Sequence, residues 1–247
     1  MRTTTRWKRS GGTLAAILLA WDAYGAHPLN TEDTGTQGRG RWQLELNGER
    51  NRDEVDGETL RGGQANAVLS YGIAETADLQ VGVSWLDNGV DKGAGDSLAA
   101  VKWRFWEKEP WSLGLRAGVT FPTGDENRGL GTGRTTWAAL LIGQYEGERW
   151  IFLSHLGYKH NSNSVGDREA INEISGAVLY KATESLKLLV DASRTRNADP
   201  GSDKSLRHVV VGFIWSVSKE IDLDAGLRRG NDPGIDQAIM AGVTVRW

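Results

Sequence analysis

The chain has no cysteine, little positive charge to spare and no long apolar run. The absence of thiols removes disulfide frameworks, thiolate metal sites and cysteine nucleophiles together. A spanning helix needs about 20 consecutive apolar residues, whereas the one short apolar run is Leu14 to Trp21. With a mean hydropathy of -0.43, a multi-helix membrane protein is excluded. The formal net charge is -3, so the basic surface that nucleic-acid binding normally needs is missing. Against this polar average stand 11 Trp and 32 Gly in 247 residues.

Residues 1–25 have the layout of a secretory signal peptide. Arg2, Arg6, Lys8 and Arg9 form a basic region, Leu14 to Ala20 an apolar stretch, and Ala23, Gly25 and Ala26 a small-residue cleavage region. Ala23-Tyr24-Gly25 satisfies the small-x-small rule better than cleavage after Ala26. Cleavage there removes four basic groups and Asp22, leaving a mature charge of -6.

From Arg41 onward the dominant period is two. In Trp111–Phe121, residues Trp111, Leu113, Leu115, Ala117, Val119 and Phe121 share one face, and Ser112, Gly114, Arg116, Gly118 and Thr120 the other. The same alternation marks 78–87, 221–229 and 236–247. It predicts about twelve strands, near 40–48, 64–72, 78–87, 97–106, 111–121, 135–145, 149–160, 171–181, 185–195, 206–217, 221–229 and 236–247. Short turns at 73–77, 107–110, 146–148, 182–184 and 218–220 alternate with longer Gly/Asp/Asn-rich connections at 49–63, 88–96, 122–134, 161–170, 196–205 and 230–235. An even number of strands with short turns at one end and long loops at the other is the pattern of a transmembrane antiparallel β-barrel in a bacterial outer membrane. The predicted organisation is a signal peptide over 1–25, a segment 26–38 without alternation that either lies in the periplasm or plugs the barrel mouth, and a barrel over 39–247.

The aromatic residues provide an independent check. With both termini periplasmic, Trp42, Tyr71, Phe105, Trp111, Tyr145, Trp150, Tyr180, Trp215 and Trp247 fall near one rim, and Trp85, Phe121, Trp137 and Tyr158 near the other. Amphipathic rings favour the headgroup level of a bilayer, so two girdles follow from a membrane barrel. A soluble sandwich would instead bury its Trp in mid-strand. The surrounding partners are then outer-membrane lipids.

Turning the polar face inward places Arg41, Glu45, Lys102, Arg104, Arg116, His155, Lys159, Glu173, Lys187, Asp191, Asp222, Asp224, Arg228 and Arg246 in the lumen. Twelve strands enclose a narrow lumen, between side-chain-filled eight-stranded barrels and open sixteen-stranded porins. Two readings stay open: opposed basic and acidic walls that admit small polar solutes, or charges that pair across the lumen because an isolated buried charge is costly. The Gly-rich segment between Phe121 and Arg134 offers Asp125, Glu126, Arg128 and Arg134 as constriction residues if it folds inward, and as parts of an external loop if it does not.

The segments Thr34-Gly-Thr-Gln-Gly-Arg-Gly-Arg-Trp-Gln-Leu-Glu-Leu-Asn47 and Phe121-Pro-Thr-Gly-Asp-Glu-Asn-Arg-Gly-Leu-Gly-Thr-Gly-Arg134, with the turn Tyr71-Gly-Ile-Ala-Glu-Thr-Ala-Asp-Leu79, resemble a family of outer-membrane transporters labelled for the meta-cleavage pathway of phenol degradation. The resemblance covers nearly the whole mature chain and implies a porin-like barrel that passes small, aromatic or hydrophobic compounds. It carries no catalytic residue, metal or cofactor and fixes no solute. The carboxyl-terminal Trp247 resembles the signal by which barrel-assembly machinery recognises its clients.

Rival functions are a closed structural or adhesion barrel and an outer-membrane lipase. A lipase needs Ser, His and an orienting group within hydrogen-bond reach. His155 follows Ser154 and so points to the opposite face, and His208 is expected two strands or more from a suitable Ser. No triad assembles, and a non-enzymatic barrel is the expectation.

Overall fold

The computed structural model describes residues 27–55, 58–232 and 235–247. The signal peptide expected over 1–25 lies outside the described residues. The strands are β1 (Trp42–Val55), β2 (Glu58–Ala74), β3 (Ala77–Asp87), β4 (Lys92–Ala94), β5 (Ser97–Lys108), β6 (Trp111–Phe121), β7 (Thr136–Glu146), β8 (Trp150–His160), β9 (Ala170–Lys181), β10 (Leu186–Thr195), β11 (Leu206–Ser216), β12 (Ile221–Asp232) and β13 (Ile235–Arg246). β4 and β5 both pair with β3 and together make one wall element, interrupted at Gly95 and Asp96. The wall therefore has twelve staves. All neighbours are antiparallel, and the pairings of β1 with β13 and of β2 with β3 close the sheet on itself. Backbone bonds between Trp42 and Trp247, in both directions at 2.9 and 3.1 Å, fasten the seam where the last stave meets the first.

The alternation determines which way each side chain points, and the exposure pattern is that of a soluble protein turned inside out. Along β3, Gln80 and Ser84 are buried while Val81, Val83 and Trp85 are exposed, Trp85 at 57%. On β6, Arg116 is 0% exposed whereas Trp111 is at 56%. A water-facing wall of this kind would forfeit the hydrophobic driving force at ~25 cal/mol per Å² of apolar surface, so the outer face requires an apolar surround.

Two of the long connections expected from sequence are instead strand. β1 runs to Val55 and β2 begins at Glu58, so the ladder continues through Glu49 opposite Gln64 and Arg52 opposite Arg61, where a loop over 49–63 is predicted. Likewise β12 runs to Asp232 and β13 starts at Ile235. These extensions are polar on both faces, so there is no apolar stripe to reveal the period. Elsewhere the asymmetry holds: β5–β6, β7–β8, β9–β10 and β11–β12 are joined by short turns at one end, and β6–β7, β8–β9 and β10–β11 by longer loops at the other. The two ends are called the turn end and the loop end below.

Candidate functional site

The feature that dominates the lumen is the segment His27–Gln37. It has no regular secondary structure, yet it enters the barrel, and its residues from His27 to Glu32 and Thr34 are buried or nearly so. A chain without its own ladder must find other partners for its buried N–H groups, and inward side chains of the wall supply them. Asp191 on β10 accepts from the amides of Asn30 and Thr31 at 3.1 and 2.8 Å. His155 Nδ1 on β8 accepts from the Glu32 amide at 3.1 Å, and Gln144 Oε1 on β7 from the Thr34 amide at 3.1 Å. Asp78 on β3 receives the Gln37 amide at 3.1 Å. The segment thus crosses the lumen from β12 to β3, meeting the wall at almost every residue.

Side chains add to these ties. His27 bonds to Asp224 on β12. Asn30 Nδ2 donates to Glu173 Oε1 at 2.6 Å, and Thr31 and Thr34 meet the hydroxyls of Ser175 and Ser112 at 2.5 and 2.6 Å. Lys102 Nζ lies 2.8 Å from both Glu32 Oε1 and Asp33 Oδ1, and Arg116 Nε stands 3.6 Å from the other Glu32 oxygen. Burial alone would raise the Asp33 carboxyl, but the Lys102 ammonium and the Gly35 amide outweigh it and hold the group below its ordinary value. Because His155 Nδ1 is an acceptor, its proton sits on Nε2, which faces Glu173 Oε1 at 3.2 Å.

Leu29 is the apolar anchor. It packs into a patch on the inner wall built from Ile151, Leu153, Ala177, Leu179, Leu189, Val210 and Met240, with Ile214 at its edge. At the turn end the segment leaves the lumen past Gly38 and Gly40, both with positive φ. A Cβ on Gly72 would overlap the Gly38 carbonyl, so glycine there allows the two backbones to cross. Among the described residues, two spaces lie at the turn end. One, of about 320 Å³, has charges of both signs around it, from Arg41, Glu45, Asp222, Asp224 and Arg246 together with the Glu32–Asp33–Lys102 group. The other, of about 720 Å³, is rimmed by Arg104, Glu107, Glu109, Glu146, Glu148 and Lys181.

The fourteen lumen candidates are distributed as follows. Lys102, Arg116, His155, Glu173, Asp191 and Asp224 are drawn together around the plug by the contacts above. Arg246 pairs with Asp222 at 2.8 Å, and Arg228 with Glu49 at 2.7 Å. Arg41 and Glu45 border the smaller space, Arg104 the larger one, and Lys159 and Lys187 stand on the inward faces of β8 and β10. Of the loop candidates, Arg128 reaches Asp91 at 2.9 Å, while Asp125 and Arg134 are exposed and Glu126 is half-buried. That loop is instead held by Asp96, which accepts from the Gly124 and Thr132 amides, and by burial of Leu130. The aromatic residues gather at the rims, with Trp42 against Tyr71, Trp111 against Tyr145 and Trp150 against Tyr180 at the turn end, and Trp137 against Tyr158 at the loop end. Trp85, Phe121, Trp215 and Trp247 are also exposed on the outer face.

One expectation needs correction. His208 is not remote from serine: its Nε2 lies 2.8 Å from Ser193 Oγ on the neighbouring strand, since the two residues are register partners of β10 and β11. Sequence reasoning also passed over the plug's own polar residues and the apolar inner patch. The signal for the first was a polar stretch, Asn30 to Thr34, in a segment with no alternation. For the second it was the apolar character of β11 on both faces.

Comparison with known proteins agrees with this architecture. Residues 26–247 match the family described as "Putative MetA-pathway of phenol degradation". The chain belongs to that family. No curated protein matches it significantly by sequence. Among solved structures it is similar to the COG4313 outer membrane channel from Pseudomonas putida F1, at 14% identity and a TM-score of 0.68 over 87% of this chain and 98% of that one. It is also similar to the NanC porin, at 9% identity and 0.62, and to the KdgM porin solved in complex with disordered oligogalacturonate, at 8% identity and 0.62. Each of these two covers 82% of this chain and 98% of its own. At such identities the likeness is one of fold, so this family member has the barrel architecture of outer-membrane porins.

Proposed function

We propose that this protein is a plugged outer-membrane channel of a Gram-negative cell that passes small molecules when the segment 27–37 moves aside. The observation that carries the proposal is that the lumen is occupied by a segment outside the sheet, held to the wall by side-chain contacts and followed into β1 at the turn end. Its ties are individually breakable hydrogen bonds and ion pairs. The apolar inner patch under Leu29 supports solutes with a hydrophobic or aromatic part, because displacing Leu29 uncovers a surface that such a solute would cover in its place. The mixture of charges of both signs around the smaller space argues against a strongly ion-selective pore.

Deleting residues 27–37 from the mature chain tests the proposal. The deletion protein is expected to fold, since no strand is removed, and to give larger and more frequent conductance steps in planar bilayers. In liposomes it should admit small aromatic solutes faster than sugars of similar size. A deletion protein that migrates as a folded barrel yet conducts and transports no better than the full chain would defeat the plugged-channel reading and leave a closed structural barrel.

A further inference from the structure

Five neighbouring staves place one row of register partners on the wall: Ser84 on β3, Asn66 on β2, Asn47 on β1, Gly242 on β13 and Asp224 on β12. Residues directly opposite one another point to the same side of a sheet. Asp224 shows that this side is the lumen, since it bonds to His27 of the plug. Asn47 and Asn66 are only 8% and 4% exposed, and Ser84 is buried with them. Gly242 lets the plug come close to this row, because a Cβ there would lie 2.7 Å from both Asp224 Oδ2 and His27 Nδ1. The part of the wall against which His27 rests is therefore continuous with the asparagine pair.

Asn66 Nδ2 donates to Asn47 Oδ1 at 2.8 Å. A carboxamide has two N–H donors and a carbonyl acceptor, so this bond leaves the pair half used. Among the described residues, Asn47 Nδ2 and Asn66 Oδ1 are buried and have no hydrogen-bond partner. Turning both amides over exchanges their roles and leaves the same inventory, one donor beside one acceptor. Ser84 Oγ, next to Asn66 in the row, and Gln64 Oε1, two residues along β2 on the same face, are likewise buried without a partner. The acids of this region are taken, Asp224 by His27 and Glu49, the register partner of Gln64, by Arg228 at 2.7 Å. Buried polar atoms left unpaired are costly and call for a partner. Here four of them on neighbouring positions make an edge that is uncharged and both donates and accepts.

We propose that the Asn47–Asn66 pair binds, within the lumen, an uncharged solute group that donates and accepts at once, a carboxamide or an alcohol hydroxyl, in preference to a carboxylate or an ammonium. The proposal rests on the reading of the barrel as a plugged channel for solutes with an apolar part, and it names their polar part. The carbonyl of a carboxamide accepts from Asn47 Nδ2 while its N–H donates to Asn66 Oδ1. A carboxylate only accepts and an ammonium only donates, so either one satisfies one asparagine and sets like poles against the other. Each ion also enters a site whose own charges are already neutralised, where its desolvation has no compensation. Discrimination thus comes from mismatch with the charged forms as much as from attraction to the neutral one.

The test uses the full mature barrel in nanodiscs and three probes built on one benzene ring: benzamide, benzoate and benzylammonium, at neutral pH. Saturation-transfer NMR titrations, with the signal from empty nanodiscs subtracted, give the affinity of each. Wild type is expected to bind benzamide about fivefold more tightly than either ion, the scale of one neutral hydrogen bond. N47L/N66L, which removes both carboxamides together, should lose that preference. N66D, which puts a carboxylate beside the remaining amide, should shift it to benzylammonium. If N47L/N66L does not migrate as a heat-modifiable folded barrel, N66D carries the same comparison. Equal binding of the three probes by wild type, or a benzamide preference that survives in the variants, would overturn the site. A preference that follows the two asparagines, in a barrel whose 27–37 deletion conducts no better, would support the site and overturn the channel reading alone.

Discussion

Replacing Lys102 by Met removes the one ammonium that holds both plug carboxylates, while keeping an apolar stem of similar length. In the folded protein Nζ is 2.8 Å from Glu32 and from Asp33, and the Lys102 and Glu32 side chains are only 7% and 4% exposed. Removing one partner of a buried pair costs about 3–5 kcal/mol, because the remaining charge loses its compensation. Two details favour the lower figure: Arg116 still stands 3.6 Å from Glu32, and the Asp33 side chain, 30% exposed, can rehydrate. A loss of about 3 kcal/mol shifts the ratio of seated to released plug by roughly two orders of magnitude. The wall is spared, because the backbone ladder of β5 does not depend on the Lys102 side chain. Conductance in planar bilayers should rise, and a cysteine placed at Asn30, in a chain with no other thiol, should react with an impermeant maleimide correspondingly faster. Unchanged labelling would show that the ion pairs do not seat the segment. Faster labelling without added conductance would show that the segment moves but does not gate.

Thr31→Cys with Ser175→Cys, whose hydroxyls are 2.5 Å apart in the native chain, should form a disulfide that abolishes the conductance gained by Lys102→Met, and reductant should restore it. Acid should break the tie between Asp33 and Lys102 only at low pH: because the folded Asp33 carboxyl lies below its ordinary value, its contribution is present above the unfolded value and is lost as pH falls through the folded one. Conductance is therefore expected to stay low at pH 5 and to rise below about pH 4, and a transition near pH 6 would point to a different group. Trp247→Ala removes the terminal ring but leaves the backbone bonds to Trp42 possible. It should lower the amount of barrel recovered in outer-membrane fractions severalfold without changing the heat-modifiable migration of what is inserted, as immunoblots of both would reveal.

How legible each part was in the sequence follows from how each residue's surroundings constrain it. A stave such as Trp111–Phe121 has lipid-type apolar surroundings on one side and a polar lumen on the other, so its period of two survives and the strand is predicted to the residue. In the extensions at Glu49–Arg52 both faces are polar, and the ladder that continues there leaves no trace in composition. β11 conceals its inward face for the opposite reason, since Val210 and Ile214 line the apolar patch while Val209, Val211 and Phe213 point outward. The sideways distance between His208 and Ser193 is a matter of register, which single-strand alternation does not encode. The plug was half visible: its lack of period marks Asn30–Thr34 as something other than stave, but its partners, from Asp78 to Asp224, are spread over the whole barrel.

That spread has a consequence for how the molecule is made. His27 finds Asp224 across 197 positions of chain, Asn30 finds Asp191 across 161, and Glu32 finds His155 across 123. None of these acceptors exists as a surface until the staves bearing them are in place, and contacts of such long sequence separation form late because closing long loops costs entropy before it is repaid. The segment 27–37, synthesised before every stave, is the last to find its seat. A barrel that has not closed its seam does not yet present the acceptors from β3 to β12 together, so docking of the plug follows closure of the wall.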